Sequence, residues 1–262
     1  MAEKCHPVLK ASRGRSAAHA TTLSYDFKPG HTIPDHFHPE DQLVFASKGV
    51  MTVRTEEGTW VVPPLRAVWI PSGVPHSVQI SGAVSMRTIY IRSGVIRRPG
   101  RRCTVINVSP LLRELILHAC SLGTLSKHVP AERRVLEMIS DQLKTAPAIG
   151  LQLPYPSDPR ARRVAELLNQ EPGAQATLNQ LCRRCGGSRR TIQRIFVAET
   201  NLRFDKWRRQ LRLMHALQVL ASGHKVTTAA IEAGYDSPSA FIAMFKKHFG
   251  ATPSQYFQDE SR

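Results

Sequence analysis

LCRRCGGSRRTIQRIF, residues 181–196, is matched further along by TTAAIEAGYDSPSAFIAMF, residues 227–245. Each stretch holds a small residue (Cys182, Ala230), then a glycine (Gly186, Gly234), then an apolar residue (Ile192, Phe241) in nearly the same relation. The small residue lets two helices approach, the glycine allows a sharp turn, and the apolar residue seats the second helix. Those are the requirements of a helix-turn-helix. One such stretch is common among helical pairs; two, joined by a helical pattern, are not. The joining helix is predicted from about Asp205 to Ser222. Its face of Trp207, Leu211, Met214, Leu217 and Leu220 is able to pack against both copies and fix their separation.

Charge points the same way. The 262 residues carry 36 Lys and Arg against 20 Asp and Glu, a formal net charge of +16. Between Arg160 and Arg212 lie thirteen basic residues and four acids (Glu166, Glu171, Glu199, Asp205). A basic concentration over a helix-turn-helix predicts a nucleic-acid partner. The runs RRPGRR at 97–102 and Arg13/Arg15 read as solvated linker or tail. The 42% hydrophobic content suits about two globular domains. No apolar run approaches the roughly 20 residues of a membrane span, and MAEKCHPVLKASRGRSAAHA lacks a secretory signal's apolar middle. A cytoplasmic protein is therefore expected, with no membrane partner. The cysteines at 5, 103, 120, 182 and 185 are odd in number and dispersed, which predicts free thiols. Cys182-x-x-Cys185 has no second close pair to complete a zinc site, and packing explains Cys182.

The N-terminal part reads as short strands: TLSYDF, QLVFAS, VMTVRT, TWVVP, AVWIP, HSVQI and SMRTIYI, punctuated by Pro and Gly. Strands so spaced suggest a small barrel or sandwich. Within them lie GHTIPDHFHPEDQLVFASKG, with His36, His38, Gln42 and Gly49, and PSGVPHSV, with His76. Together these resemble the two motifs of the cupin fold, in whose metal-binding members two His, a Glu and a later His converge inside the barrel. Here Gln42 takes the Glu position, and Leu65 stands where the second motif usually has glycine. Residues two apart on a strand point the same way, so three imidazoles are available to a divalent metal. The neutral Gln42 amide weakens such a site relative to a carboxylate. The same residues serve equally as a ligand pocket or as inherited packing. Phe45, Trp60, Trp69 and Tyr90 are candidates for pocket lining or for core.

From Ser109 the period becomes helical. Leu111, Leu112, Leu115, Ile116 and Ala119 share one face, and Val135, Leu136, Ile139 and Leu143 share another. This helical pair is expected to pack on the barrel or to pair with its twin in a homodimer. LPYPSDP, with three prolines, reads as an interdomain segment, and Ser157 or Asp158 as the cap of the next helix.

The C-terminal hundred residues resemble the DNA-binding domain of AraC/XylS-type transcription regulators. The residues that carry this are SRRTIQRIF at 188–196, RLMHALQVL at 212–220 and GYDSPSAFIAMFKKHFGATPSQY at 234–256. The resemblance implies an α+β chain: a cupin-like sensor barrel (17–102), a helical pair (103–150), a linker (151–157) and an all-α double helix-turn-helix domain (158–258). It implies a DNA-binding regulator, not an enzyme, answering to a small-molecule effector on double-stranded DNA. Arg190, Gln193 and Arg194 match base-contacting positions, alongside Ser188 and Arg189. The second copy offers Ser239 and other short residues, then Lys246 and Lys247 for phosphates. The first helix is thus expected to discriminate sequence and the second to position. A metal-dependent cupin enzyme tethered to DNA is the alternative, supported by His36, His38 and His76. A constitutive architectural DNA binder is a third reading.

Overall fold

The computed structural model describes residues 18–96, 102–148 and 151–258. Cys5, Arg13, Arg15 and most of the basic run at 97–102 lie outside them. The chain divides into two compact units. The first holds the described residues up to 55 and residues 60–152; the second holds 56–59 and the residues from 153 onward.

The strands up to residue 125 are β1 (Ala20–Phe27), β2 (Thr32–His36), β3 (Asp41–Thr55), β4 (Gly58–Val62), β5 (Arg66–Ile70), β6 (His76–Ile91), β7 (Thr104–Asn107) and β8 (Thr124–Leu125). They form an antiparallel sheet in the order β7-β5-β3-β6-β1-β8, with β2 added on β6 and β4 on β3. Long β3 and β6 run together as its spine, from Asp41 opposite Ile91 to Arg54 opposite Ser77. The sequence reading divided each of these two strands into a pair. The physical reason is Gly49 and Gly82, which read as turns but are absorbed within the strands at φ 77° and 74°. Gly49 sits where the register shifts, a bulge that bends the pair. A Cβ there would meet the Ala83 carbonyl oxygen at 2.2 Å. Leu65, where the cupin motif has glycine, adopts φ 58°. The turn keeps the left-handed geometry of the glycine it lacks, with the leucine side chain exposed.

Alternation gives β3 two different faces. Leu43 and Phe45 join Trp69, Ile89 and Ile91 in a core under α1 (Pro110–Leu122) and α2 (Pro130–Thr145). Leu112, Ile116 and Ala119 of α1, with Leu136, Ile139 and Leu143 of α2, complete it. The helical pair therefore packs on the sheet, and Phe45 and Trp69 are core, not pocket lining. Leu111, expected on the buried face, is 47% exposed. Ser109 caps α1, accepting from the Leu112 amide at 3.1 Å.

The second unit is helical apart from its first few residues: α3 (Pro159–Gln170), α4 (Leu178–Cys185), α5 (Arg189–Thr200), α6 (Phe204–Ala221), α7 (Val226–Glu232), α8 (Pro238–Phe249) and α9 (Pro253–Gln258). Asp158 caps α3, and Thr177 with Gln180 forms a capping box on α4. The segment read as a linker is tied down. Pro154 accepts from the Trp207 indole at 2.7 Å, and the Glu199 carboxylate accepts from the Ser157 and Asp158 amides. Cys182, Ile192, Ala230 and Phe241 are all buried, as a helix-turn-helix pair requires. Buried faces on both sides of α6, from Trp207 to Leu220, join the two copies.

Gly186 and Gly234 occupy equivalent turns at φ 73° and 74°, but their surroundings differ. A Cβ on Gly186 meets nothing within 4 Å, whereas one on Gly234 meets the Gly173 carbonyl oxygen at 2.6 Å. Gly186→Ala is expected to destabilise the C-terminal unit by about 1–2 kcal/mol, from backbone conformation alone. Gly234→Ala should lose about 1–3 kcal/mol more by steric overlap. Denaturant unfolding followed by helical circular dichroism checks the order.

Candidate DNA-reading face and histidine site

Two places in the molecule gather the chemistry that the sequence singled out. The first is the exposed face of α5 and α8. Ser188 is the N-cap of α5, its hydroxyl accepting from the Thr191 amide at 3.1 Å. Arg189, Arg190 and Arg194 are exposed and Gln193 is half-buried, while Ile192, Ile195 and Phe196 face inward. Among the described residues none of these three guanidiniums pairs with an acid. Other arginines of the same basic stretch are occupied. Arg160 and Arg162 pair with Asp158 and Glu166 on α3. Arg208 donates to the Ala174 and Ala176 carbonyls, and Arg212 to Ala174. On α8 the leading side chains Ser239, Ala240 and Ala243 are short and turned outward; Lys246, Lys247 and His248 follow, also exposed. Cys182 and Cys185 are both buried, and burial pushes both thiols up, so they stay protonated. Among the described residues no cysteine is joined in a disulfide.

The second place is inside the sheet. β2 lies against β6 with His36 opposite His76, and β3 lies against β6 with Gln42 opposite Tyr90. Strand register thus brings together residues from three parts of the sequence. Ring nitrogens of His36, His38 and His76 lie within 4.8 Å of one another. Each ring places Nδ1 against a backbone carbonyl: His36 on Pro34 at 2.8 Å, His38 on Glu40 at 2.8 Å, His76 on Val74 at 2.9 Å. A carbonyl only accepts, so each Nδ1 carries the proton and each neutral ring keeps its lone pair on Nε2. His76 Nε2 is buried with no hydrogen-bond partner. Burial, then repulsion from His36, pushes His76 down to about 3, so it is neutral at physiological pH.

Gln42 is buried beside this trio, its Oε1 3.1 Å from His38 Nε2. Its NH2 donates to Thr88 Oγ1 at 3.0 Å, and that hydroxyl donates to the Leu43 carbonyl at 3.1 Å. Tyr90 stands edge-on to His38 at 5.0 Å, its hydroxyl buried without a partner and pushed up by burial. The sequence reading missed Thr88 as part of the site, although a threonine buried in an apolar strand is itself a signal.

Comparison with known proteins decides what these two places belong to. A family model described as AraC-like ligand binding domain matches residues 21–196, and one described as Helix-turn-helix domain matches residues 181–259. The HTH-type transcriptional regulator NimR of Escherichia coli K12 is 39% identical over 225 residues, covering 86% of this chain and 82% of that protein. The chain belongs to the AraC family of transcription regulators. A second relative, the HTH-type transcriptional regulator RipA of Corynebacterium glutamicum, is 34% identical over 214 residues, 82% of this chain and 61% of RipA. The crystal structure of ToxT from Vibrio cholerae O395 aligns over 91% of this chain and 97% of ToxT, with 13% identity and a TM-score of 0.39, too distant to bear on function. As in the AraC family, a ligand-binding N-terminal half precedes a DNA-binding helix-turn-helix half. No helix among the described residues is long and apolar enough to cross a membrane.

Ser188 acts first on its own helix. Ser188→Ala is expected to destabilise the C-terminal unit by about 1 kcal/mol through the lost cap. Thermal unfolding without DNA measures this, and it separates the helix effect from any contact to DNA.

Proposed function

We propose that this AraC-family chain is a cytoplasmic homodimer whose two recognition helices divide the work on DNA. α5 reads bases and α8 sets position. The observation that carries this reading is the contrast between the two faces. α5 presents three guanidiniums without acidic partners together with Gln193, whereas α8 leads with Ser239, Ala240 and Ala243. From the major groove Arg bonds guanine bidentately and Gln bonds adenine. Alanine carries no donor. Lys246 and Lys247 near the end of α8 suit backbone phosphates, which fix register but carry no sequence information.

Ligand-driven change in such a regulator requires different affinities of the effector for two states of the protein. In this reading the histidine site belongs to the input side, not to catalysis; the named relatives are regulators. Exposed Leu111, Leu122 and Met138 on α1 and α2 support pairing of two chains through the helical pair.

Arg190→Ala or Arg194→Ala should lose about 1–3 kcal/mol on the best site and relax base preference there. Lys247→Ala should weaken all sequences alike and reduce the salt slope by about 1. Titrations of matched and mismatched duplexes at several salt concentrations distinguish the two. A larger loss of sequence preference from Ser239→Ala than from Arg190→Ala would overturn the division of labour.

A further inference from the structure

We propose that Arg212 and Gln175 are positioning residues for DNA reading. With Gly173 they fasten the loop between α3 and α4 onto the turn of the second helix-turn-helix, and so set the spacing and twist of α5 relative to α8. This rests on the reading above, in which both helices meet the DNA.

The loop of residues 171–177 leads into α4, and so into the first copy. It also lies against the second copy, main chain to main chain. A Cβ on Gly173 would meet the Glu232 carbonyl oxygen at 2.3 Å, and one on Gly234 would meet the Gly173 carbonyl oxygen at 2.6 Å. Only glycine on both sides allows so close an approach. Two backbones in contact have no rotamers with which to absorb a shift, so the contact fixes register. Gln175 bridges the same gap. Its NH2 donates to the Gly234 carbonyl at 3.2 Å, and its Oε1 accepts from the Arg212 guanidinium at 3.3 Å. Arg212 also donates to the Ala174 carbonyl at 3.2 Å. One turn earlier on α6, Arg208 donates to the Ala176 carbonyl at 2.7 Å and to Ala174. The loop's carbonyls thus hold two like charges side by side, with the Nε of each buried and making no hydrogen bond. The contacts close a circuit: α4 and α5, then α6, then the second turn, then the loop back to α4. Opening the circuit at Gln175 or Arg212 leaves the apolar packing of α6 in place. The fold then persists while the placement of one recognition helix against the other loosens.

The test takes the full-length protein and the site that wild type enriches from a random duplex pool. That site is rebuilt with its two elements one base pair closer together or farther apart. One base pair moves an element by about 3.4 Å and turns it by about 35°. Wild type should bind both altered spacings about 10-fold or more weaker than the selected one. Gln175→Ala and Arg212→Ala should bring that ratio down to about 3-fold. Arg212→Lys, which keeps a donor toward Ala174, should retain more of it. Lys247→Ala, at a phosphate-contacting position, should weaken all three spacings alike and leave the ratio at the wild-type value. A ratio taken within one variant cancels any loss of folded protein, so destabilisation alone does not move it. Gln175 is exposed, so Gln175→Ala should fold even where Arg212→Ala does not. An unchanged spacing ratio in the folded variants would overturn the joint. So would a wild type that recognises the site yet ignores its spacing; neither result touches base reading by α5. A wild type that enriches no sequence would overturn the base reading itself, and the joint with it.

Discussion

Trp207 sits fully buried on α6, 5.3 Å from Phe196 of the first recognition helix and nearly edge-on to it, with its indole bonded to Pro154. Phe204 closes the same cluster against Phe196. Further along α6, Leu211, Met214, Leu217 and Leu220 are buried as well. Buried aromatics of this kind are worth about 3–5 kcal/mol each on truncation, against a total domain stability of about 5–15 kcal/mol. One helix therefore holds both helix-turn-helix copies, and in the proposed reading their fixed separation is part of the specificity. Two recognition helices in fixed relation are able to enter successive major grooves about 10 bp apart.

The same joint explains how the charges are distributed. A basic stretch looks uniform in sequence, yet its members do different things. Arg208 and Arg212 on α6 are turned onto the carbonyls before α4, so they hold the first helix-turn-helix in place. Arg160 and Arg162 answer carboxylates at the start and along the length of their own helix. Three of the remaining basic side chains, Arg189, Arg190 and Arg194, are exposed on α5, and Arg183 and Arg184 are exposed on α4. Net charge favours association with DNA, and in the proposed division of labour the arginines of α5, which answer no carboxylate, are the ones that read it.

Much of this was legible in the sequence because it is local. The small–glycine–apolar spacing identified both helix-turn-helix copies, and Ser109, Asp158 and Ser188 marked helix starts. His36 and His38 were expected to share a direction by strand alternation, but β2 ends at His36 and His38 follows it outside the strand, so their meeting with His76 rests on the turn as well. Glycine misled where context overrode it: Gly49 and Gly82 bend strands and do not end them. β2 was not anticipated, since Pro34 and Asp35 break the alternation of TIPDH. The partnership of Gln42 with Thr88 and Tyr90 depends on the register of β3 against β6, more than forty residues away. No local pattern encodes that register. Phe45 and Trp69 were ambiguous for the same reason, because either sheet face could have carried the helices.

The most direct measurement is selection of bound sequences from a random duplex pool with the full-length protein at moderate salt. The account predicts an enriched site of two short elements about one helical turn apart, strongly constrained in one element and loosely in the other, and repeated if the protein acts as a dimer. Tight binding with no enriched sequence would contradict it, because a basic face held by a rigid joint would then be anchoring the protein to DNA without reading it.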